Sequence, residues 1–481
     1  MQAYQWRSRP LWGQHFAPHT VQRSNCRWDI AIIYARGRAV TAADAVILGA
    51  PGDGTPQPPT YGEALHVWGK IGLLSFGGPA GQIALMHRVL VDEKKWIDER
   101  SYLLALNFCT LLPGPEAMQL ATYAGWRLHG VKGGLTAGLL FVLPGALLIL
   151  LLSGFYASFG SVPAVTAVFT GIKAAVLAVV IEALLRISKK SLKDRTEWAL
   201  AALSFAAIFF FKVPFPVIVL AAAIFGYLRG MNAMAEPITT AVSSVPLSAT
   251  LSTIGLWLAI WIVPLLAVGL AFGADHVLAK LAVFFSKLAV VTFGGAYAVL
   301  AYMAQDAVQT YGWLQPGEML DGLGLAETTP GPLILVTEFV GFLAAYRQGG
   351  GVPLAMGALG ALVTLWATFA PCFLYIFAGA PYIDQLKNAP RLKSALSAIT
   401  AAVVGVVLNL SVWFALHVLF RDVGNVQWGP LHVTVPNAAS LDGTAATLAA
   451  LAAVMLFYWH FGIVSVLAAC GLSALAASYF L

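Results

Sequence analysis

Charge is what this sequence lacks most. Only 10% of its 481 residues are Asp, Glu, Lys or Arg, against roughly 25% in a soluble protein. That deficit excludes a water-facing surface over most of the chain and implies one that meets lipid. Cysteine is scarce too: Cys26, Cys109, Cys372 and Cys470 are scattered without paired spacing. Three of them sit in apolar segments, where a small buried hydrophobe is the ordinary reading. No Walker loop, dinucleotide fingerprint or haem motif is present, which argues against an ATP-driven pump or a redox enzyme. The expectation is a non-enzyme with no cofactor and no metal.

Apolar residues make up 59% of the chain, and runs of bilayer length recur, as at Leu135–Phe155, Thr250–Phe272 and Leu392–Phe420. A helical span needs about 20 such residues, and the absence of period-two alternation excludes a transmembrane barrel. The sequence therefore predicts an all-α polytopic membrane protein. The net charge of +6 reports loop orientation in such a chain, not nucleic-acid binding. Residues 1–60 differ, with six Arg against three Asp and the run "GAPGDGTPQPPT". They read as a disordered basic extension without the apolar core and cleavage site of a signal peptide.

Shifted by 217 residues, the chain partly matches itself. Phe76-Gly77-Gly78 falls on Phe293-Gly294-Gly295, Trp96 on Trp313, and Pro113-Gly114-Pro115 on Pro330-Gly331-Pro332, with 12 identities in the 40 positions from Phe76 to Pro115. Beyond this block gaps are needed, but Gly125 still pairs with Gly341 and Pro144 with Pro371. Two homologous halves follow, 61–230 and 275–481, joined by a linker and one span over 231–274. Six apolar segments in each half plus the joining one give about 13 transmembrane segments. An odd joining span inverts the second half if each half crosses an even number of times.

Loop charge agrees. Arg186–Arg195 carries five basic residues against Asp194, whereas its counterpart Arg421–Asp442 carries one against two acidic residues; the uncharged loop 156–163 has the counterpart 381–393 with three basic residues against Asp384. Basic loops mark the cytoplasmic side, so the halves are expected to be inverted repeats in a plasma (inner) membrane, the architecture of secondary transporters.

Each half opens with two interrupted segments, broken at Phe-Gly-Gly and at Pro-Gly-Pro, spanning or re-entrant. Backbone groups freed in hydrocarbon cost several kcal/mol unless satisfied. Paired breaks in two halves point to the transported ligand, and helix starts beside them favour an anion. The candidate substrate residues are Lys70, Ser75, Gly77, Gly78 and Gly114 in the first half, and Lys287, Thr292, Gly294, Gly295 and Gly331 in the second. The glycines allow close approach, Ser75 and Thr292 supply hydroxyls, and the lysines supply charge or else snorkel to headgroups. Glu116 and Glu327, beside the two Pro-Gly-Pro turns, are the proton-coupling candidates. Glu116 alone also reads as an acidic partner of a helix start. Lys173 and Glu182 are second-line candidates.

The blocks "SFGGPAGQIALMHRVLVDEKKWI", "LLPGPEAMQLATYAGWRLHG", "TFGGAYAVLAYM" and "GWLQPGEMLDGLGLAETTPGP" resemble the signatures of the chromate ion transporter family, in its long two-domain bacterial form. The resemblance covers residues 61–481. It implies efflux of chromate in exchange for protons or another coupling cation, and it leaves room for a homodimer. Helix starts and lysines do not separate chromate from sulfate, since both are tetrahedral dianions. Sulfate transport by the same fold is one alternative, and a membrane scaffold without transport is another.

Overall fold

The computed structural model describes residues 59–232, 246–293, 296–383, 390–429 and 431–480. The basic extension predicted over 1–60 lies outside these apart from its last two residues, as do Gly294, Gly295 and part of the 231–274 linker. The described chain is helical except for one hairpin. The first half comprises α1 (Tyr61–Leu74), α2 (Gly78–His87), α3 (Glu99–Cys109), α4 (Glu116–Phe159), α5 (Pro163–Ser191), α6 (Arg195–Phe211) and α7 (Phe215–Arg229). The joining helix is α8 (Leu247–Phe272). The second half comprises α9 (Val277–Val291), α10 (Ala296–Gln305), α11 (Pro316–Thr328), α12 (Val336–Gln348), α13 (Pro353–Gly379), α14 (Pro390–Leu419), α15 (Gly443–Ala453) and α16 (Ile463–Phe480).

The order of elements repeats as the sequence does. The 44-residue α4 is two helices, because His129 and Gly130 leave helical geometry; its parts correspond to α12 and α13. Both α2 and α10 run on into a π-helical turn, Arg88–Glu93 and Asp306–Thr310. Lys95 (φ 52°) and Gly312 (φ 59°), 217 residues apart, then share a left-handed backbone. Helix starts are fixed by side chains: Thr60 caps α1, Asp98 caps α3, and Asp194 with Glu197 forms a capping box on α6.

Among the described residues six helices are long and apolar enough to cross a membrane, including α5, α8, α13 and α14, so the chain is a multi-pass membrane protein. Thirteen full-length helices are not what the described residues hold. Each interrupted segment is two short helices; α1, with 14 residues, is about 21 Å long at 1.5 Å per residue, less than the roughly 30 Å of hydrocarbon. The loop expected over 421–442 contains an antiparallel hairpin, β1 (Val423–Trp428) with β2 (Leu431–Pro436), the one departure from the all-α expectation among the described residues. Its alternation in the sequence, "VQW" and "HVTV", is short enough to read as loop.

The halves are interleaved. Helix α14 packs against α6 and α7 of the first half, while α5 packs against α15 and α16 of the second. With lipid tails as apolar as leucine, such crossings depend on close backbone approach rather than on hydrophobic burial. A Cβ on Gly405 of α14 would lie 2.0 Å from the Ala201 carbonyl oxygen, one on Gly171 of α5 2.1 Å from that of Cys470, and one on Gly145 of α4 2.0 Å from that of Pro330. Outward positions are apolar instead: Leu270 of α8 is 88% exposed. Gly145→Val is expected to cost about 3 kcal/mol or more by overpacking, seen as loss of a monodisperse peak and a lower unfolding temperature in detergent. Gly62→Ala, where nothing lies within 4 Å of the new methyl, should leave both unchanged.

Candidate functional site

The four breaks meet and bond across the halves. The Gly114 N–H donates to the Thr292 carbonyl at 3.0 Å, and the Gly331 N–H donates to the Ser75 carbonyl at 2.9 Å. Donors and acceptors are each 217 residues apart, so the two bonds are one bond made twice, with the halves exchanged. That reciprocity is what a two-fold relation generates. Gly114 and Gly331 have φ of 103° and 95°, a left-handed conformation costly for other residues. A Cβ at Gly114 would also meet the Cys372 sulfur at 3.1 Å.

Two buried amides, neither singled out in the sequence, complete the junction. Gln82 Nε2 donates to the Gly331 carbonyl at 2.6 Å and to that of Ser75 at 3.3 Å, and Gln119 Nε2 donates to the Pro113 carbonyl at 2.6 Å. Both are buried, and the Oε1 of each has no partner. Each lies four residues beyond the last residue of a break, Gly78 or Pro115. A polar residue in an apolar segment was the available signal.

The Ser75 hydroxyl donates to the Ile71 carbonyl at 2.6 Å, and the Thr292 hydroxyl to that of Leu288, so both hydroxyl protons are held by the preceding turn. The open ground is at Gly77 and Gly78, with φ of 86° and 71°. Nothing lies within 4 Å of a Cβ built on either, and α2 starts there with a proline in its first turn, leaving N–H groups of that turn without intrahelical acceptors. Lys70 and Lys287 occupy exposed positions on α1 and α9, away from the buried junction. Glu116 is half-buried in the first turn of α4. Gly294 and Gly295 lie outside the described residues.

Acidic groups gather in the second half. Glu327, 2% exposed, accepts from the Tyr297 hydroxyl at 2.9 Å, while its Oε2 has no partner. This bond joins the helix before Pro-Gly-Pro to the one after Phe-Gly-Gly. Asp321, 1% exposed, accepts from the Tyr156 hydroxyl at 2.7 Å and pairs with Lys173 at 3.2 Å. The sequence pointed to Lys173 but not to its partner, which lies in the other half. Glu182 pairs with Arg186 one turn on, so these two second-line candidates belong to different pairs. Glu338, also 1% exposed, has an Oε2 without a partner. Buried carboxylates at membrane depth mark function more often than stability. Among the described residues no three His, Cys, Asp or Glu side chains gather as a metal set.

The family model for the chromate transporter matches residues 62–227 and 279–475, more than half of the chain. The chain belongs to the chromate transporter family. A chromate transport protein of Pseudomonas aeruginosa is 33% identical over 361 residues, covering 74% of this chain and 81% of its own length. One of Cupriavidus metallidurans is 30% identical over 371 residues, covering 73% and 86%. An uncharacterised transporter of Methanocaldococcus jannaschii is 28% identical over 349 residues, covering 72% and 82%. No solved structure gives a significant match. Both matched segments of this family member contain a Phe-Gly-Gly and a Pro-Gly-Pro block, so the reciprocal junction is built wholly from family sequence.

The Asp321–Lys173 pair yields a direct test of the inter-half contact. Lys173→Met strands a buried carboxylate and should cost about 3 kcal/mol, read as a lower unfolding temperature in detergent. Adding Asp321→Asn to that variant should recover at least half of the loss, and a double-mutant cycle on the unfolding midpoints measures the coupling.

Proposed function

We propose that this protein exports chromate across the plasma membrane by alternating access of two inverted halves, with protons as the coupling ion. The observation that carries this reading is the reciprocal pair of bonds, Gly114 to Thr292 and Gly331 to Ser75. Paired breaks at a two-fold junction are the construction that lets one half rock against the other around a central ligand. Inversion is supported by the placement of charge. The basic stretch 186–195 spans the end of α5 and the loop after it, whereas the stretch after α14 carries one Arg against two Asp and contains the hairpin. The proposed domains are the halves 61–230 and 275–481, with α8 as the joining span.

The ligand class follows from the open turn at Gly77 and Gly78. Backbone N–H groups and a helix start suit a tetrahedral dianion, and Gly114 and Gly331 hold the opposite wall. The exposed Lys70 and Lys287 raise the local concentration of anions rather than touching the bound one. Sulfate transport remains the second reading, because backbone donors act on both oxyanions alike. Glu327 is the proton carrier of this reading, with Tyr297 holding one of its oxygens; Glu116, in the first turn of α4, is its counterpart on the other break.

Purified full-length protein in proteoliposomes should accumulate radiolabelled chromate under an imposed pH gradient and lose it when the gradient is collapsed. Chromate uptake that resists excess sulfate separates the two substrates. Glu327→Gln should abolish gradient-driven accumulation and keep chromate–chromate exchange, and Gly77→Val should abolish both. Accumulation unaffected by Glu327→Gln would remove protons through that carboxylate from the account.

A further inference from the structure

A further space, with polar groups set among apolar ones, lies at the far end of α6 from the basic stretch 186–195. It is a cavity of ≈ 290 Å³ between the end of α6, the turn after α10, α14 and the hairpin. With water occupying roughly 30 Å³ in the liquid, it holds a small anion together with part of its hydration. Lys212, Gln309, His417, Asn425, His432 and Thr434 line it. A recess sharing Lys212 and Gln309 continues inward past Gln305 and Asn409. No Asp or Glu lines either part among the described residues.

Lys212 is the unusual member. It ends α6 in a left-handed conformation, φ 53° and ψ 31°, at a position where helices ordinarily place glycine. A residue with a Cβ is disfavoured there, and such strain tends to persist where the side chain is used. The lysine is half-buried, and no ion pair or hydrogen bond holds its ammonium among the described residues. A half-buried cation without a counter-ion is a position that an anion stabilises.

The repeat sharpens the point. Gln305 and Gln309 stand where the first half has Arg88 and Asp92. There the charges neutralise one another: Arg88 pairs with Glu93 and His87 with Asp92. In the second half the same two positions carry neutral amides; Asp306, between them, is engaged by Tyr302 and Thr310 and does not line the cavity.

We infer that the Lys212 cavity is an anion-binding vestibule, which takes a soluble tetrahedral dianion at the end of the protein opposite the basic 186–195 stretch. Lys212 is its counter-charge, and the amides and imidazoles are its hydrogen-bond partners. The assignment of this dianion as transported cargo rests on the function proposed above; its binding in the cavity does not. A lipid headgroup phosphate would satisfy the same lysine, and the experiment separates the two.

In proteoliposomes, Lys212→Gln should raise the half-saturating chromate concentration by about tenfold, the loss of one charge-assisted contact, with Lys212→Arg restoring it. Binding is read independently of transport by the reactivity of Gln309→Cys toward a charged maleimide in lipid-free detergent. Molybdate, a tetrahedral dianion that does not oxidise thiols, should slow that reaction, and adding Lys212→Gln should remove the protection. Protection by phosphatidylglycerol but not by molybdate overturns the inference in favour of a lipid site, and no protection by either overturns it outright. Protection by molybdate with no transport by the unmodified protein would leave the vestibule standing and sink the transport reading instead.

Discussion

Two hydrogen bonds organise this molecule: a glycine N–H from each Pro-Gly-Pro turn to the carbonyl that precedes the other half's Phe-Gly-Gly block. In hydrocarbon a helix cannot simply stop, because the donors and acceptors it frees have no water to turn to. Here each break supplies what the opposite break lacks. Each half leaves a glycine N–H and a carbonyl at its breaks for the other half to pair, so the interface between halves is part of how the breaks are satisfied. Gln82 and Gln119, reaching carbonyls at the same junction, are the side-chain counterpart of that constraint.

The interleaving of the long helices follows from the same requirement. Once the breaks face one another, α5 and α14 are carried into the opposite half's terminal helix pair. Contact at that distance is set by Gly171, Gly226 and Gly405, whose missing side chains would each fall within 2.5 Å of a backbone oxygen. Small residues therefore set the approach of these helices, while large apolar residues such as Phe284 and Phe339 fill the interior and others such as Leu270 face outward.

Much of this was legible beforehand because repetition is a property of sequence. The 217-residue shift located both breaks. What was not legible depended on which elements meet. Lys173 read as a lysine with no reachable partner on its own helix, since Asp321 lies on α11 of the other half. Ser75 and Thr292 read as ligand donors because composition cannot register that a hydroxyl one turn along a helix returns its proton to the backbone. Glycine spacing survives from sequence into structure; side-chain pairing across halves does not.

The departures from symmetry are as informative as the symmetry. Asp321, Glu327 and Glu338, the buried carboxylates among the described residues, belong to the second half, whereas Lys173, the cation that meets one of them, belongs to the first. Two identical halves would give two conformations of equal energy, and no ion could favour one over the other except by its own gradient. Charges placed on one side of a two-fold junction make the two conformations bind a proton or an anion unequally, and only unequal binding shifts such an equilibrium. On the proposed reading, the shared backbone junction supplies the two states, and the unshared carboxylates and lysines decide which ion moves the protein between them.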